Sequence, residues 1–361
     1  MVFRRPPLQR SLHTGRGSRD LPLYAVLFKL LGILLVLASF LIAWLAMDLR
    51  SFAETPLRVP PTSLTVTIAP GSGLRQVANL LEKEGAITQP LYFVWLARWK
   101  GAATRIQAGE YRIEPGTTTS QFIERAVSGA VAQYALTLVE GWTFKQVLAA
   151  VRSEPRLQQT LAALEDDAIM ARIGAAGVHP EGRFFPDTYH FPAGMTDVDF
   201  LKRAYQAMAT ELAAAWANRD PAVPLQTPDE ALVLASIIER ETGLDAERRQ
   251  VAGVFIRRLR KGMRLQTDPT VIYGLGEAFD GNLTRGQLLQ DTPYNTYTRR
   301  GLPPSPIAMP GRASIEAALH PDDGNTLYFV SRRDGSHYFS ATLEEHARAV
   351  RRFQLTPASP Q

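Results

Sequence analysis

The segment TPDEALVLASIIERETG, residues 227–243, decides how the rest of the chain is read. Thr227 as N-cap, Pro228 at the first helical position and Glu230 at the third make a capping box, and Gly243 suits a left-handed residue just past the end. The spacing predicts a helix over about 228–242. Counting back from Glu241 by three, four and seven residues meets Ile238, Ile237 and Leu234, so this carboxylate prolongs the apolar stripe into the last turn. A negative charge is disfavoured there by the partial negative charge of the helix C-terminus and by the apolar surround. Both raise a carboxyl pKa, which is what a general acid needs to hold a proton near neutral pH. Glu239 counts back to Ser236, Ala235 and Leu232, a smaller and more polar flank, and is the secondary candidate. The structural alternative for Glu241 is an ordinary helix-end glutamate paired with Arg248 or Arg264.

Downstream, a second helix is expected from Ala246 to Lys261, closed by Gly262, with Val251, Val254, Phe255 and Leu259 inward and Arg249, Arg257, Arg260 and Lys261 outward. The segments GMRLQTDPTVIYG (262–274) and TPYNTYT (292–298), followed by Gly301-Leu302-Pro303-Pro304, read as loops. Their amides, hydroxyls and tyrosines suit a ligand rich in hydroxyl and acetamide groups, with turn formation as the plain alternative.

Upstream, an alternating strand, a Gly turn and a helical period occur three times. The segments are Val66–Gly71 leading to Leu74, Val77 and Leu80; Tyr111–Gly116 leading to Phe122 and Ile123; and Leu136–Gly141 leading to Phe144, Val147 and Val151. Unequal spacing between the glycines excludes a solenoid and favours small α+β modules. The cluster Arg183-Phe184-Phe185-Pro186-Asp187-Thr188-Tyr189-His190-Phe191 reads either as core or as an aromatic platform for a sugar, and a long amphipathic helix follows over 197–217.

At the N-terminus, residues 30–47 (LLGILLVLASFLIAWLAM) hold no charge, enough to cross a bilayer as a helix. Asp48-Leu49-Arg50 follows directly without a signal-peptidase-like site, which favours a retained anchor. Five arginines against one aspartate precede it, so the tail is expected in the cytoplasm and everything after residue 48 outside. That tail supplies +4 of the net charge of +5, so the rest is nearly balanced and nucleic acid is not an expected partner. The chain has no cysteine, which removes disulfides, thiol nucleophiles and Cys-ligated metals. The six histidines lack close ligand spacing and no serine sits in a nucleophile elbow, so neither metal nor cofactor is expected.

The motifs around Glu241, the run 262–274 and Tyr294-Asn295-Thr296-Tyr297 with Gly301-Leu302-Pro303-Pro304 closely resemble the membrane-anchored endolytic murein transglycosylases of the YceG-like family. The resemblance implies an α+β chain with one N-terminal transmembrane helix, small LysM-like modules and a lysozyme-like, YceG-type catalytic domain. The expected division is a basic cytoplasmic tail over 1–22, an anchor over 23–47, a Pro-rich spacer over 48–62 and a LysM-like glycan-binding region over 63–155. A catalytic domain over 156–352 and a C-terminal tail over 353–361 complete it.

The family implies cleavage between N-acetylmuramic acid and N-acetylglucosamine within nascent peptidoglycan strands, leaving 1,6-anhydro ends and controlling strand length. Glu241 matches the family's catalytic glutamate; Gln266, Thr267, Asp268, Tyr273, Tyr294, Asn295 and Tyr297 fall in its substrate-cleft motifs. The implied location is the inner membrane, single-pass, with the catalytic domain in the periplasm, and cell-wall synthesis proteins are implied as partners. Two alternatives stay open: a hydrolytic muramidase using Asp268 as a second carboxylate, and a glycan-binding anchor without catalysis.

Overall fold

The computed structural model describes residues 22–355, so nearly all of the two expected tails lies outside the described residues. The chain separates into two compact units, divided between Val131 and Ala132.

The first unit begins with the helix α1 (Pro22–Glu54). Its apolar part leaves Leu30, Leu34, Phe40 and Ile42 exposed on all sides, as a helix does when lipid rather than protein is its surround. The expected spacer does not begin at residue 48. The helix continues through Glu54 because Leu49, Phe52 and Ala53 pack onto the unit's core, and it ends where Pro56 bars further helix. Then come β1 (Leu64–Ile68), α2 (Leu74–Lys83), α3 (Pro90–Trp99), β2 (Gly109–Ile113) and α4 (Thr119–Ser128). The two strands pair antiparallel, Leu64 opposite Ile113 and Val66 opposite Tyr111. Their inward residues Val66, Ile68, Tyr111 and Ile113 meet Leu81, Phe93 and Phe122 from the helices. Thr118 and Gln121 cap α4 reciprocally, each side chain meeting the other residue's backbone N–H.

The second unit holds β3 (Gln133–Thr137), α5 (Phe144–Ser153), α6 (Asp166–Ile173), β4 (Thr188–Pro192), α7 (Asp197–Ala217) and α8 (Pro228–Glu241). It continues with α9 (Asp245–Arg260), α10 (Asp268–Leu275), α11 (Arg285–Leu289), α12 (Arg312–Leu319), β5 (Tyr328–Ser331), β6 (His337–Ser340) and α13 (Leu343–Val350). The third strand–Gly–helix repeat, expected within the region 63–155, thus belongs to the second unit. The reason is pairing: β3 lies antiparallel to β4, Leu136 opposite Tyr189, and α5 buries Phe144, Val147 and Val151 with Phe184, Phe191 and Phe200. Phe184, Tyr189 and Phe191 are therefore core and not a sugar platform.

Helix α8 runs through the centre of this unit. Every residue from Ala231 to Ile238 is buried, against α7, α9 and α12, and each large aliphatic among them contributes about 1.5–3 kcal/mol by leaving water. Thr227 caps it, accepting the Glu230 N–H at 3.2 Å, but the Glu230 carboxylate takes the Gln226 N–H instead of closing the expected box. The expected left-handed Gly243 is also absent: Thr242 stops the helix in an extended conformation, its hydroxyl accepting the Leu244 N–H at 3.1 Å.

Asp197, at the start of α7, is fully buried and accepts bonds from the Thr160 N–H, the Thr160 hydroxyl and the Leu161 N–H at 2.5–2.9 Å. Asp197→Ala leaves these three donors without an acceptor and is expected to cost about 3 kcal/mol, read as a lowered denaturant midpoint with an unchanged slope.

Candidate active site

Helix α8 ends on Glu241, which projects into a cleft of about 510 Å³ lined also by Gln266, Asp268, Tyr297, Arg258, Tyr328, His337 and His346. The packed helix end, the chain turn at 265–268 and the β5–β6 hairpin line this cleft. Burial pushes its pKa up to about 7; the Thr267 bond opposes that, Asp268 adds to it, and His337 and Arg258 offset it weakly. The helix terminus acts in the same direction as burial. Arg248 does not neutralise it, because its guanidinium faces Glu239 and Asp245.

Thr267 is the group that orients the acid. Its hydroxyl donates to Glu241 Oε2 at 2.8 Å, and so does not cap α10, whose N-cap position it occupies. It is held in turn by Thr296, whose hydroxyl accepts the Thr267 N–H at 3.1 Å, and by Thr270, whose hydroxyl donates to the Thr267 carbonyl at 2.8 Å. The preceding Gln266 has φ of 49°, a left-handed conformation costly for a residue with a Cβ, and its N–H donates to the Thr296 carbonyl at 3.2 Å. That backbone kink brings Thr267 under Glu241 while Gln266 stays exposed at the cleft. Among the described residues only Oε2 of Glu241 is bonded, which leaves Oε1 for a ligand.

The segment read as a loop over 262–274 is helical from Asp268, started by Pro269. A helix presents different faces, and this one divides the expected site residues. Asp268 lines the Glu241 cleft, its Oδ1 accepting the Tyr297 hydroxyl at 2.5 Å. Pro269, Ile272 and Tyr273, with Tyr294 from the next segment, line a separate cleft of about 660 Å³ that also contains Glu181, Arg240 and Lys145. Asn295 lines neither cleft. It is fully buried, its amide donating to the carbonyls of Gln287, Leu288 and Gln290 and its Oδ1 accepting the Tyr297 N–H at 2.8 Å. It folds the loop that carries Tyr297.

Two other glutamates provide internal comparisons. Glu239, two residues before Glu241 and about 200° around the helix, accepts the Gly311 N–H at 2.9 Å and faces Arg248 at 3.8 Å, bracing the start of α12. Glu181 is buried, and burial likewise raises its pKa to about 7. Both of its oxygens are engaged, one by the Phe144 N–H at the start of α5 at 2.9 Å and the other by the Tyr273 hydroxyl at 3.1 Å. It closes a helix N-terminus, where a carboxylate is favoured. Glu241 alone of the three combines a raised pKa with an unbonded oxygen facing a cleft.

Residue-by-residue reading passes over Arg258, Tyr328, His337 and His346, which complete the cleft. Arg258 is buried and donates to the carbonyls of Leu265 and Leu327 at 2.6 and 2.7 Å, tying the turn before Gln266 to the start of the β5–β6 hairpin. His337 Nδ1 lies 2.8 Å from Glu247 Oε2 on α9. Their only sequence signal is residue type, since they stand far from the Glu241 motif along the chain.

The balance at Glu241 can be tested by infrared titration of the carboxyl band that Glu241→Gln removes. It is expected to titrate near pH 7. Thr267→Val deletes a bond that favours the ionised form, so the midpoint should move upward; a downward shift or none would refute the assigned role of the hydroxyl.

Residues 66–352 match the model of the YceG-like family. The endolytic murein transglycosylase of Bacillus subtilis is 32% identical over 321 residues, 84% of this chain and 88% of the relative. That of Streptococcus pneumoniae is 26% identical over 80% of this chain, which spans 58% of the relative's length. A crystal structure of a yceG-like protein from Listeria monocytogenes matches 80% of this chain and 99% of its own, with 32% identity and a TM-score of 0.52. The family match spans both units and takes in α8, the Gln266–Asp268 turn and the loop of Tyr297: the chain belongs to the YceG-like family.

Proposed function

We propose that this protein is an endolytic murein transglycosylase in which Glu241 is first the acid and then the base. The observation that carries the reading is the Glu241 carboxyl, half-buried at a helix end with a raised pKa and one oxygen left unbonded at a cleft. The name and similarity of the Bacillus subtilis relative support the same reaction class.

The proposed chemistry needs little else. Protonated Glu241 gives its proton to the glycosidic oxygen between N-acetylmuramic acid and N-acetylglucosamine as the bond to C1 breaks. The 2-acetamido group of the muramyl sugar steadies the developing cation, so no second protein carboxylate is required. Ionised Glu241, still bonded to Thr267, then takes the proton of the C6 hydroxyl as that oxygen closes on C1. The acid is regenerated, no water is consumed and the product carries a 1,6-anhydro end. Gln266, exposed at the cleft, offers its amide to the sugar, and Tyr297, half-exposed there with its O–H donated to Asp268, offers its phenolic oxygen as an acceptor.

Asp268 supports a second reading, because it lies in the same cleft as Glu241 and could serve a hydrolase as the other carboxylate. Its bond from Tyr297 occupies one oxygen and favours a positioning role.

In the first unit the order β1–α2–α3–β2, two helices between antiparallel strands, supports the LysM-like reading and a role in holding glycan. The apolar part of α1, uncharged from residue 30 to 47, is the membrane anchor of this proposal, with the arginine-rich tail inside and both units outside.

Two experiments bear on the chemistry. Glu241→Gln keeps the shape without the proton and should reduce glycan cleavage by about a hundredfold or more. Glu239→Gln, remote from the cleft, should leave the chemical step largely intact once corrected for any loss of folded protein; the reverse pattern would refute the assignment. Digestion in isotopically labelled water should yield unlabelled anhydromuramyl ends, one water lighter than reducing ends. Labelled reducing ends would establish hydrolysis and bring Asp268 forward, while intact glycan in every condition would favour a binding anchor.

A further inference from the structure

An exposed aromatic face on α3 has no part in the proposed chemistry. Trp99 is 80% exposed, Leu91 60% and Trp95 43%. Spaced four residues apart, the three lie within about 80° of arc around the helix axis. Exposed Arg98 borders them on one side and Tyr92 on the other. The opposite arc, Phe93, Val94, Leu96 and Ala97, is buried in the core of the unit. A continuous apolar surface of this kind marks an interaction site.

Helix α1 identifies the occupant. The Tyr92 hydroxyl donates to Asp48 Oδ2 at 2.6 Å, and its ring meets Phe52 edge-on at 5.7 Å. Trp95 stacks on Tyr92, 5.7 Å between centroids and 22° between planes. Asp48 is the first charged residue after the uncharged run 30–47, so it stands where a spanning helix leaves the hydrocarbon. No break separates that run from Leu49, Phe52 and Ala53, which pack into the core of the unit. The unit is thus joined to the helix without a flexible linker, and the aromatic face of α3 begins at the level of the bilayer boundary. Tryptophan favours that layer, where its ring meets acyl chains and its N–H meets headgroups; a neighbouring arginine suits anionic lipid.

We infer that Leu91, Trp95 and Trp99 lie in the lipid headgroup layer of the membrane that α1 crosses, so that α3 is a second, interfacial contact holding the first unit at the bilayer surface. This rests on the anchor reading proposed above. The competing occupant is a glycan strand, since aromatic faces also stack on sugars.

The lack of cysteine makes the test direct. Single variants Leu34→Cys, Leu91→Cys, Trp99→Cys and Arg112→Cys of the full chain are spin-labelled in nanodiscs containing anionic lipid. Accessibility to oxygen and to a water-soluble nickel chelate is then measured. The label at 34 should be open to oxygen and closed to nickel. Labels at 91 and 99 should show less than half the nickel accessibility of the label at 112, an exposed position on β2. Nickel accessibility at 91 and 99 equal to that at 112, with 34 still in lipid, would overturn the inference and leave the anchor standing. An open label at 34 would overturn both. Protection of 91 and 99 by soluble glycan fragments but not by the bilayer would assign the face to glycan and overturn the inference. If Trp99→Cys fails to fold, quenching of tryptophan by brominated lipid in Trp44→Phe replaces it, with strong quenching expected and none refuting the contact.

Discussion

A carboxyl group that burial would keep protonated, and that one threonine hydroxyl draws back toward ionisation, is the constraint on which the cleft of the second unit depends. In the proposed reaction, burial alone would make Glu241 hold its proton too tightly to give it up readily, whereas free exposure would leave it ionised near neutral pH with no proton to give. Burial at the end of α8 raises its pKa to about 7, and the Thr267 bond opposes that rise. Thr267 can supply that bond only because Gln266 adopts a left-handed backbone and because Thr270 and Thr296 hold the turn from behind. Local backbone strain at Gln266 is offset by hydrogen bonds deeper in the unit.

The three buried or half-buried glutamates show how environment assigns function to one residue type. Glu239 braces α12 through Gly311, Glu181 closes the start of α5, and Glu241 keeps an oxygen for the cleft. Glu181 and Glu241 share a raised pKa, so titration behaviour alone does not separate them. The count of bonded oxygens does, two in Glu181 and one in Glu241. Helix α10 makes a similar distinction among its own residues, turning Asp268 to one cleft and Tyr273 to the other.

The first unit solves a mechanical problem. Continuing α1 by about two turns into the core of the unit joins the two without a spacer. Tyr92 and Phe52 lock the joint, so under the proposed anchoring the position of the first unit relative to the bilayer would follow from the helix itself.

The sequence by itself determined the features that depend on local periodicity and composition. The uncharged run of α1, the limits of α7 and the apolar stripe that ends on Glu241 were legible because a helix repeats its faces every few residues. That Glu239 and Glu241 face opposite sides of one helix was legible for the same reason. Tertiary structure decided what local pattern cannot encode. The pairing of β3 with β4 moved a strand–Gly–helix repeat into the second unit, and packing of Phe52 turned the first part of an expected spacer into helix. The loop read as a row of ligand donors became a helix start at Pro269, and Asn295 became a buried clasp. Arg258, His337 and His346 joined the cleft from distant segments. Side-chain direction and long-range pairing arise only when separate segments compete for the same buried space, and no window of sequence contains that competition.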